Sequence, residues 1–202
     1  MFKIAVLVSG GGTNLQSIID SVENEYLNCS IEMVISNREK AYALERAKKK
    51  GIKTYVVSKK NCKSCLSDEI LKIVDGKVDL IVLAGFLAIL EGKIIQKFKN
   101  RIVNIHPSLI PAFCGKGMYG VKVHESALEY GVKVSGCTVH FVDEGTDTGP
   151  IIVQKTVPVY SSDTPEILQK RILVQEHKAL PEAIKLISEN KIKVQERKVV
   201  TV

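Results

Sequence analysis

The chain has 202 residues, of which 45% are hydrophobic and 5% aromatic, and its formal net charge is +7. This length suits one large α/β domain that buries an ordinary core. No run of 18 apolar residues occurs, and the amino terminus lacks a basic segment and a cleavage site, which argues against a spanning helix and a secretory signal. We therefore expect a single domain over residues 1–202, in the cytoplasm and with no membrane partner.

The positive charge raises the possibility of a polyanionic partner, because lysine stripes collect phosphates. The lysines are dispersed, however, and the chain has no Trp, so it offers little surface on which single-stranded bases could stack. We expect small anionic ligands and no nucleic acid. A nucleotide-binding or RNA-binding module without chemistry remains an alternative.

Five cysteines, an odd number, are scattered through a chain too long to need disulfides, so reduced thiols are expected. Cys62 and Cys65 have the spacing of a redox pair or of half a zinc site. No second pair completes four ligands, so the spacing is interpreted as a coincidence at a helix start, and no metal site is expected.

The first predicted elements are a strand at 3–8, a glycine turn at 9–14 and a helix at 15–22. Glycines let the backbone approach a ligand, and the N–H groups at a helix start attract anions, so this turn is a candidate phosphate site. Thr13 and Asn14 add side chains that can bond phosphate oxygens or cap the helix. A turn without a ligand is the simpler alternative.

Two other glycine motifs fit this turn poorly. The dinucleotide fingerprint needs a third glycine where Leu15 stands, and a Walker A loop needs a following lysine. Reduction with NADP would depend on Gly10, Gly12 and Arg38 alone, and we rank it last.

Strands and helices then alternate. Strands are predicted at 31–36, 53–57 and 78–84, and helices at 41–50 and 62–74. This pattern predicts a single doubly wound, mostly parallel Rossmann-like sheet with helices on both faces. Ligands of such sheets gather beyond the carboxyl ends of the strands, where residues 9–14, 85–90 and 104–111 should meet.

Residues 85–90 are almost wholly apolar although they follow a strand. They could form the wall of a slot for a flat heterocycle, with backbone groups available to bond it. Core packing against the next helix is an equally good interpretation.

The most informative stretch is 102–111, a short apolar run that carries Asn104 and His106 and is then interrupted by Pro107 and Pro111. Residues two apart in a strand face the same side, so the amide and the imidazole should project together. Such a pair can polarise a carbonyl and move a proton.

The remaining chain is predicted as a glycine-containing mobile loop at 112–120, a helix at 121–130, strands at 133–142 and 151–159, and a helix at 162–190. Pro165 should lie in the first turn of the last helix, and Pro181 should break or restart it. Residues 193–202 could form an edge strand. A carboxylate from the acidic loop 143–150 that met His106 would orient the imidazole and raise its pKa.

Together these motifs resemble the phosphoribosylglycinamide formyltransferases over essentially the whole chain. The resemblance rests on six segments in the order of the family: 9–14 (SGGGTN), 83–86 (LAGF), 104–109 (NIHPSL), 139–142 (VHFV), 147–150 (DTGP) and 175–177 (QEH). It implies the formyltransferase fold and formyl transfer from the co-substrate 10-formyltetrahydrofolate to the amine of glycinamide ribonucleotide, without a metal.

The resemblance also implies the roles of individual residues. The catalytic set is Asn104, His106 and Asp147, with Asp147 keeping His106 protonated near neutral pH. The ribonucleotide set is Gly11, Gly12, Thr13, Asn14 and Glu176. The folate set is Lys63, Leu87, Ala88, Ile89, Leu90, Asn104, Val142 and Asp143.

Two features depart from the family pattern: Ala88 stands where some relatives have a basic residue, and the loop at 114–119 is longer than in some members. Formyltetrahydrofolate deformylase and methionyl-tRNA formyltransferase share the catalytic pattern but carry extra domains, for which 202 residues leave no room. They remain alternatives within the family. The oligomeric state is expected to be a monomer or a homodimer.

Overall fold

The computed structural model describes residues 1–58 and 66–202. The chain divides into two compact units, residues 1–104 and 105–202, and the division falls inside strand β5 (Ile102–His106). Within the described residues, no helix has the length and apolar character needed to cross a membrane.

The first unit is built on parallel strands. Its strands are β1 (Phe2–Val8), β2 (Cys29–Ser36), β3 (Lys53–Val56), β4 (Leu80–Leu83) and the start of β5, hydrogen-bonded in the order β3-β2-β1-β4-β5. Its helices are α1 (Thr13–Glu23), α2 (Tyr42–Lys49), α3 (Leu66–Val74) and α4 (Lys93–Lys97).

The strand order reverses between β1 and β4, as in doubly wound sheets, so the carboxyl ends of these two strands flank the point where ligands bind in such folds. Both strands contain a continuous aliphatic run, and every residue from Ile4 to Val8 and from Leu80 to Val82 is inaccessible to solvent. This composition is typical of parallel strands covered on both faces, and the predicted mostly parallel α/β class is confirmed.

The predicted elements of the first unit are found within about two residues of their bounds wherever the structure describes them, with one difference. The short helix α4 was not predicted, because five residues are too few for a helical period to be recognised. The start of the helix predicted at 62–74, with Cys62, Cys65 and Lys63, lies outside the described residues.

The second unit contains α5 (Val121–Tyr130), the antiparallel pair β6 (Val134–Phe141) and β7 (Ile151–Pro158), α6 (Pro165–Ser188), and a separate two-stranded sheet of β8 (Ile192–Gln195) and β9 (Lys198–Thr201). Helix α6 packs on both β6 and β7 and on α5. Thr164 caps its first turn by accepting from the amide of Ile167, and Pro165 follows, as predicted.

Two predictions for the second unit are wrong. Helix α6 runs through Pro181 without a break, because its buried face around Leu180, Pro181 and Ile184 holds it against the sheet at the cost of one helical hydrogen bond. Residues 193–202 form a hairpin and not an edge strand. Its turn is Glu196-Arg197, with Glu196 at φ 54°, and lacks the usual Asn-Gly or Asp-Gly signal.

Candidate active site

A carboxylate between two buried histidines forms the centre of the second unit. Asp147 Oδ2 lies 3.5 Å from Nδ1 of His106, and Asp147 Oδ1 lies 3.6 Å from Nε2 of His140. His106 is 4% exposed and His140 2%. The pairing of His106 with a carboxylate from the acidic loop was predicted, whereas the second histidine was not.

The acidic loop that carries Asp147 is held in shape by its own residues. Asp143 accepts hydrogen bonds from the amide of Gly145 (3.1 Å) and the hydroxyl of Thr148 (2.5 Å). Gly149 passes so close to the end of β6 that a Cβ there would be 1.8 Å from the Phe141 carbonyl oxygen. Asp147 has φ 59°, a left-handed conformation that Asp and Asn adopt more readily than other side chains.

The segment after β5 supplies the other partners of this group. The carbonyl of Phe113 lies 2.9 Å from Nε2 of His106, and the amide of Gly115 donates to Asp147 Oδ2 at 3.0 Å. The loop predicted to be mobile thus contacts both the imidazole and the carboxylate.

One buried hydroxyl fixes this segment to β6. Thr138 Oγ1 donates to the carbonyl of Ser108 (2.7 Å) and accepts from the amide of Ile110 (3.1 Å) and the side chain of Gln154 (3.0 Å). Gln154 also donates to the carbonyl of Ile110 at 3.0 Å. The Ser108 carbonyl and both backbone polar groups of Ile110 are therefore satisfied, which fixes the middle of the turn from Pro107 to Phe113.

Burial has the largest effect on the proton affinity of the imidazole. It lowers the pKa of His106 below the ordinary value of 6.5, against the Phe113 carbonyl and the Asp147 carboxylate, which both raise it. The expectation that Asp147 keeps His106 protonated near neutral pH stays a prediction, which burial of the imidazole opposes. The contribution of Asp147 has the predicted sign, but burial outweighs it.

The carboxylate responds in the opposite way. Burial disfavours its charge, yet His140, the Gly115 amide and His106 together hold the pKa of Asp147 below its usual range. The site at neutral pH is thus an ionised carboxylate beside a neutral imidazole.

The hydrogen-bond partners fix where the next proton goes. A carbonyl only accepts, so Nε2 of His106 carries the hydrogen that bonds Phe113, and Nδ1 has its lone pair towards Asp147. A proton that arrives at Nδ1 would complete an ion pair with the carboxylate. This arrangement accepts a proton from a reacting group and can return it.

The first unit carries the glycine loop at the end of β1. Gly12 is the residue before α1 and has φ 73°, and no side chain caps the helix. A Cβ at Gly12 would be 2.5 Å from the Cβ of Ala43, so only glycine fits between the loop and α2. Thr13 is exposed and Asn14 is 7% exposed.

Ser9 joins the glycine loop to the apolar segment after β4. Its hydroxyl donates to Asn37 Oδ1 (2.7 Å) and accepts from the amide of Leu87 (2.8 Å), and its own amide donates to the carbonyl of Gly85 (3.1 Å). The two stretches predicted to meet at the carboxyl ends of β1 and β4 are therefore in contact.

The apolar segment is divided by exposure. Phe86 and Leu90 are buried, as core packing requires, whereas Leu87 is 48% and Ile89 66% exposed. Asn104 pairs in register with Leu83, the last residue of β4, and lies two residues before His106 in β5. That the side chains of Asn104 and His106 share a face stays a prediction.

The other predicted residues are spread more widely. Glu176, 9% exposed, lies on α6 in the second unit, where Val142 and Asp143 are half-buried at the end of β6. Lys63 lies outside the described residues. Within residues 1–58 and 66–202, no group of three or more His, Cys, Asp or Glu side chains could hold a metal ion.

Sequence reasoning missed His140 as a member of the site. It lies in strand β6, two residues after Thr138, so alternation places both side chains on one face, and the VHFV segment already marked it. The sequence therefore held a signal for His140, but only its position beside Asp147 identifies it as a site residue.

Comparisons with known proteins find the same kind of relative along most of the chain. The family described as formyl transferase matches residues 2–184. A chloroplastic phosphoribosylglycinamide formyltransferase of Arabidopsis thaliana is 42% identical over 96% of this chain and 68% of its own length. The human trifunctional purine biosynthetic protein adenosine-3 is 41% identical over 96% of this chain, which spans 19% of that protein.

Solved structures resemble this fold closely. Glycinamide ribonucleotide transformylase 1 from Symbiobacterium toebii has a TM-score of 0.93 and 42% identity, over 100% of this chain and 94% of that one. A formyltetrahydrofolate deformylase from Pseudomonas syringae has a TM-score of 0.90 and 27% identity, over 99% of this chain and 65% of that one.

Proposed function

Since the chain belongs to the formyl transferase family, we infer that it is a phosphoribosylglycinamide formyltransferase of purine biosynthesis. It transfers the formyl group of 10-formyltetrahydrofolate to the amine of glycinamide ribonucleotide, giving the N-formyl product and tetrahydrofolate on the route to IMP. The observation that carries this proposal is the His106–Asp147 pair, in a chain that aligns over its length with a glycinamide ribonucleotide transformylase.

The chemistry of the reaction accounts for the catalytic set. Attack of an amine on a formamide carbonyl forms a tetrahedral species with an oxyanion and an ammonium group. Asn104 donates a hydrogen bond to the oxyanion without titrating. His106 takes the ammonium proton at Nδ1, and Asp147 stabilises the resulting imidazolium.

Collapse of that species returns the proton. N10 of the folate leaves as an amine and accepts the proton from His106, which restores the neutral imidazole. The proton taken from the attacking amine has then been passed to N10, and the protein ends the reaction in the state in which it began.

The substrate contacts that we propose are those that the resemblance implies. The amides of residues 11–14 bind the ribonucleotide phosphate, with Glu176 at its ribose or amide. The exposed side chains of Leu87 and Ile89, with Ala88, Leu90, Asn104, Val142 and Asp143, receive the folate. Lys63 is retained as a folate contact on the resemblance alone.

Deformylation of the same folate by water is the nearest alternative. The solved deformylase has a similar fold, but its identity is 27%, against 42% for the transformylase. We further propose that the partners are these small molecules and not nucleic acid, that the protein is a monomer or homodimer, and that it acts in the cytoplasm, although the plant relative is named chloroplastic.

The test is a direct assay with both substrates. The protein is mixed with 10-formyltetrahydrofolate, and the absorbance of deformylated folate is followed with and without glycinamide ribonucleotide. We expect product only when the ribonucleotide is present. Equal rates without it would show a deformylase, and transfer to methionyl-tRNA in its place would show the other family member.

A further inference from the structure

The contacts between helix α2 and the glycine loop lead to a role for a residue that the reaction scheme does not use. Two consecutive carbonyls of the loop point at α2. The carbonyl of Gly10 accepts from the amide of Ala43 at 3.1 Å, and the carbonyl of Gly11 accepts from Nε of Arg46 at 2.9 Å.

These two hydrogen bonds also fix the direction of the N–H group in each of the two peptides. In a planar trans peptide the N–H points away from the C=O of the preceding residue. The amides of Gly11 and Gly12 therefore point away from α2. Within the described part of the chain, neither amide has a hydrogen-bond acceptor.

Arg46 is itself held in a fixed orientation. Its Nη1 donates to Oε1 of Gln16 on α1 at 2.9 Å, and its guanidinium lies 5.0 Å from the ring centre of Tyr42. The side chain is half-buried, and its three contacts involve the loop, α1 and α2. A planar guanidinium can make these bonds together, whereas an ammonium presents a single point of charge.

We propose that Arg46 is a positioning residue for phosphate binding: by holding the Gly11 carbonyl, it keeps the Gly12 amide turned towards the phosphate of the acceptor, beside the Gly11 amide, which the bond between the Ala43 amide and the Gly10 carbonyl orients in the same way. The identity of the acceptor rests on the proposed function; the orientation of the amides does not.

The first test uses ribose 5-phosphate as the probe and needs no turnover. Backbone amide shifts are followed by NMR during a titration of the wild type and of Arg46→Met, Arg46→Lys and Lys48→Met. Lys48 lies on the same helix, is exposed and pairs with Glu45, so its variant removes the same charge without touching the loop.

In the wild type we expect the Gly11 and Gly12 amides to shift on titration. Arg46→Met should weaken binding by about tenfold or more, the size expected for hydrogen bonds that involve charged groups. The affinity of Arg46→Lys should lie between those of the wild type and Arg46→Met, and the affinity of Lys48→Met should match that of the wild type. Unchanged affinity in Arg46→Met, or shifts confined to amides outside the loop, would overturn the proposal.

The second test separates a positioning role from general loss of structure. The kcat/KM values of wild type and Arg46→Met are compared for glycinamide ribonucleotide and for its dephosphorylated riboside. We expect the variant to lose about tenfold on the phosphorylated acceptor, mainly in KM, and little on the riboside. Equal losses on both acceptors would contradict the proposal.

The role of Arg46 and the proposed function can be contradicted independently of each other. If the wild type binds ribose 5-phosphate through Gly11 and Gly12 in a manner that depends on Arg46 but transfers no formyl group, the proposed function is wrong and the role of Arg46 stands.

Discussion

At the scale of single residues, the site depends on how one carboxylate is shared. Both oxygens of Asp147 are within 3.6 Å of an imidazole nitrogen, and one oxygen also accepts from the Gly115 amide. Burial lowers the pKa of His106 and Asp147 raises it, so in the proposed reaction the carboxylate favours protonation of Nδ1.

Replacing Asp147 by Asn tests this relation. The variant keeps the shape and removes the charge that raises the pKa of His106, so the acid limb of the kcat/KM profile should move to lower pH. Turnover should fall by about 10²-fold or more, within the usual range for lost acid–base catalysis. The measurement is kcat and KM from pH 5 to 9, and binding of both substrates should change less than turnover.

A double variant provides the control. His106→Ala with Asp147→Asn should cost little more than His106→Ala alone, because the carboxylate acts through the imidazole. Fully additive losses would mean that Asp147 works independently of His106.

Asn104 supplies a different kind of group, a donor that does not titrate. Asn104→Ala should lower kcat by about 10²–10³ with little change in KM, the loss found for single oxyanion donors. Its pH profile should keep the wild-type shape. A large rise in KM with unchanged kcat would assign Asn104 to substrate binding alone.

At the scale of elements, the loop after β5 is positioned by its bonds to β6. Thr138 bonds the Ser108 carbonyl and the Ile110 amide. The same loop carries the Phe113 carbonyl that orients His106. Strand β6 therefore sets the direction of an imidazole on β5 through a turn that is seven residues long.

Thr138→Val should break that connection. It leaves the Ile110 amide without its acceptor, which should lower the free energy of unfolding by about 1–3 kcal/mol and reduce kcat. Thr156→Val on the exposed face of β7 makes the same chemical change as a control and should alter neither quantity appreciably. Urea unfolding and steady-state kinetics measure the two quantities for both variants, and equal losses in both would contradict the prediction.

The elements also show why sequence reasoning succeeded where it did. Continuous aliphatic runs ending in glycine identify buried parallel strands, and the acidic loop after β6 supplied the carboxylate expected beside His106. Helix α4 was missed because it is short, the turn at Glu196-Arg197 because it lacks a turn signal, and the unbroken path through Pro181 because packing of α6 decides it. The lowered pKa of His106 was missed because its burial depends on residues far along the chain.

At the scale of the whole molecule, a buried histidine on α5 makes stability depend on pH. His124 is 1% exposed, and burial, with His106 nearby, lowers its pKa from 6.5 to about 4. Below pH 6.5 the unfolded chain takes up a proton that the folded chain refuses until about pH 4. The free energy of unfolding therefore falls as the pH falls through this window.

His124→Gln should remove this dependence. The loss of unfolding free energy between pH 7 and pH 4.5 should shrink by about 2 to 3 kcal/mol, the value of a shift of this size. Lys122→Gln, exposed on the same helix, should leave the pH dependence unchanged. Urea unfolding at the two pH values measures both, and parallel curves for His124→Gln and wild type would contradict the assignment.

The left-handed backbone of Asp147 has a consequence for the evolution of the loop. The fold requires at position 147 a residue that tolerates φ 59°, and the proposed reaction requires in addition a negative charge there. In a saturation library sorted for folded protein alone, Asn and Gly should be enriched at this position; in a library sorted for growth without purines, Asp alone should survive. Deep sequencing of the two pools would show which amino acids the fold permits and which of them the chemistry rejects.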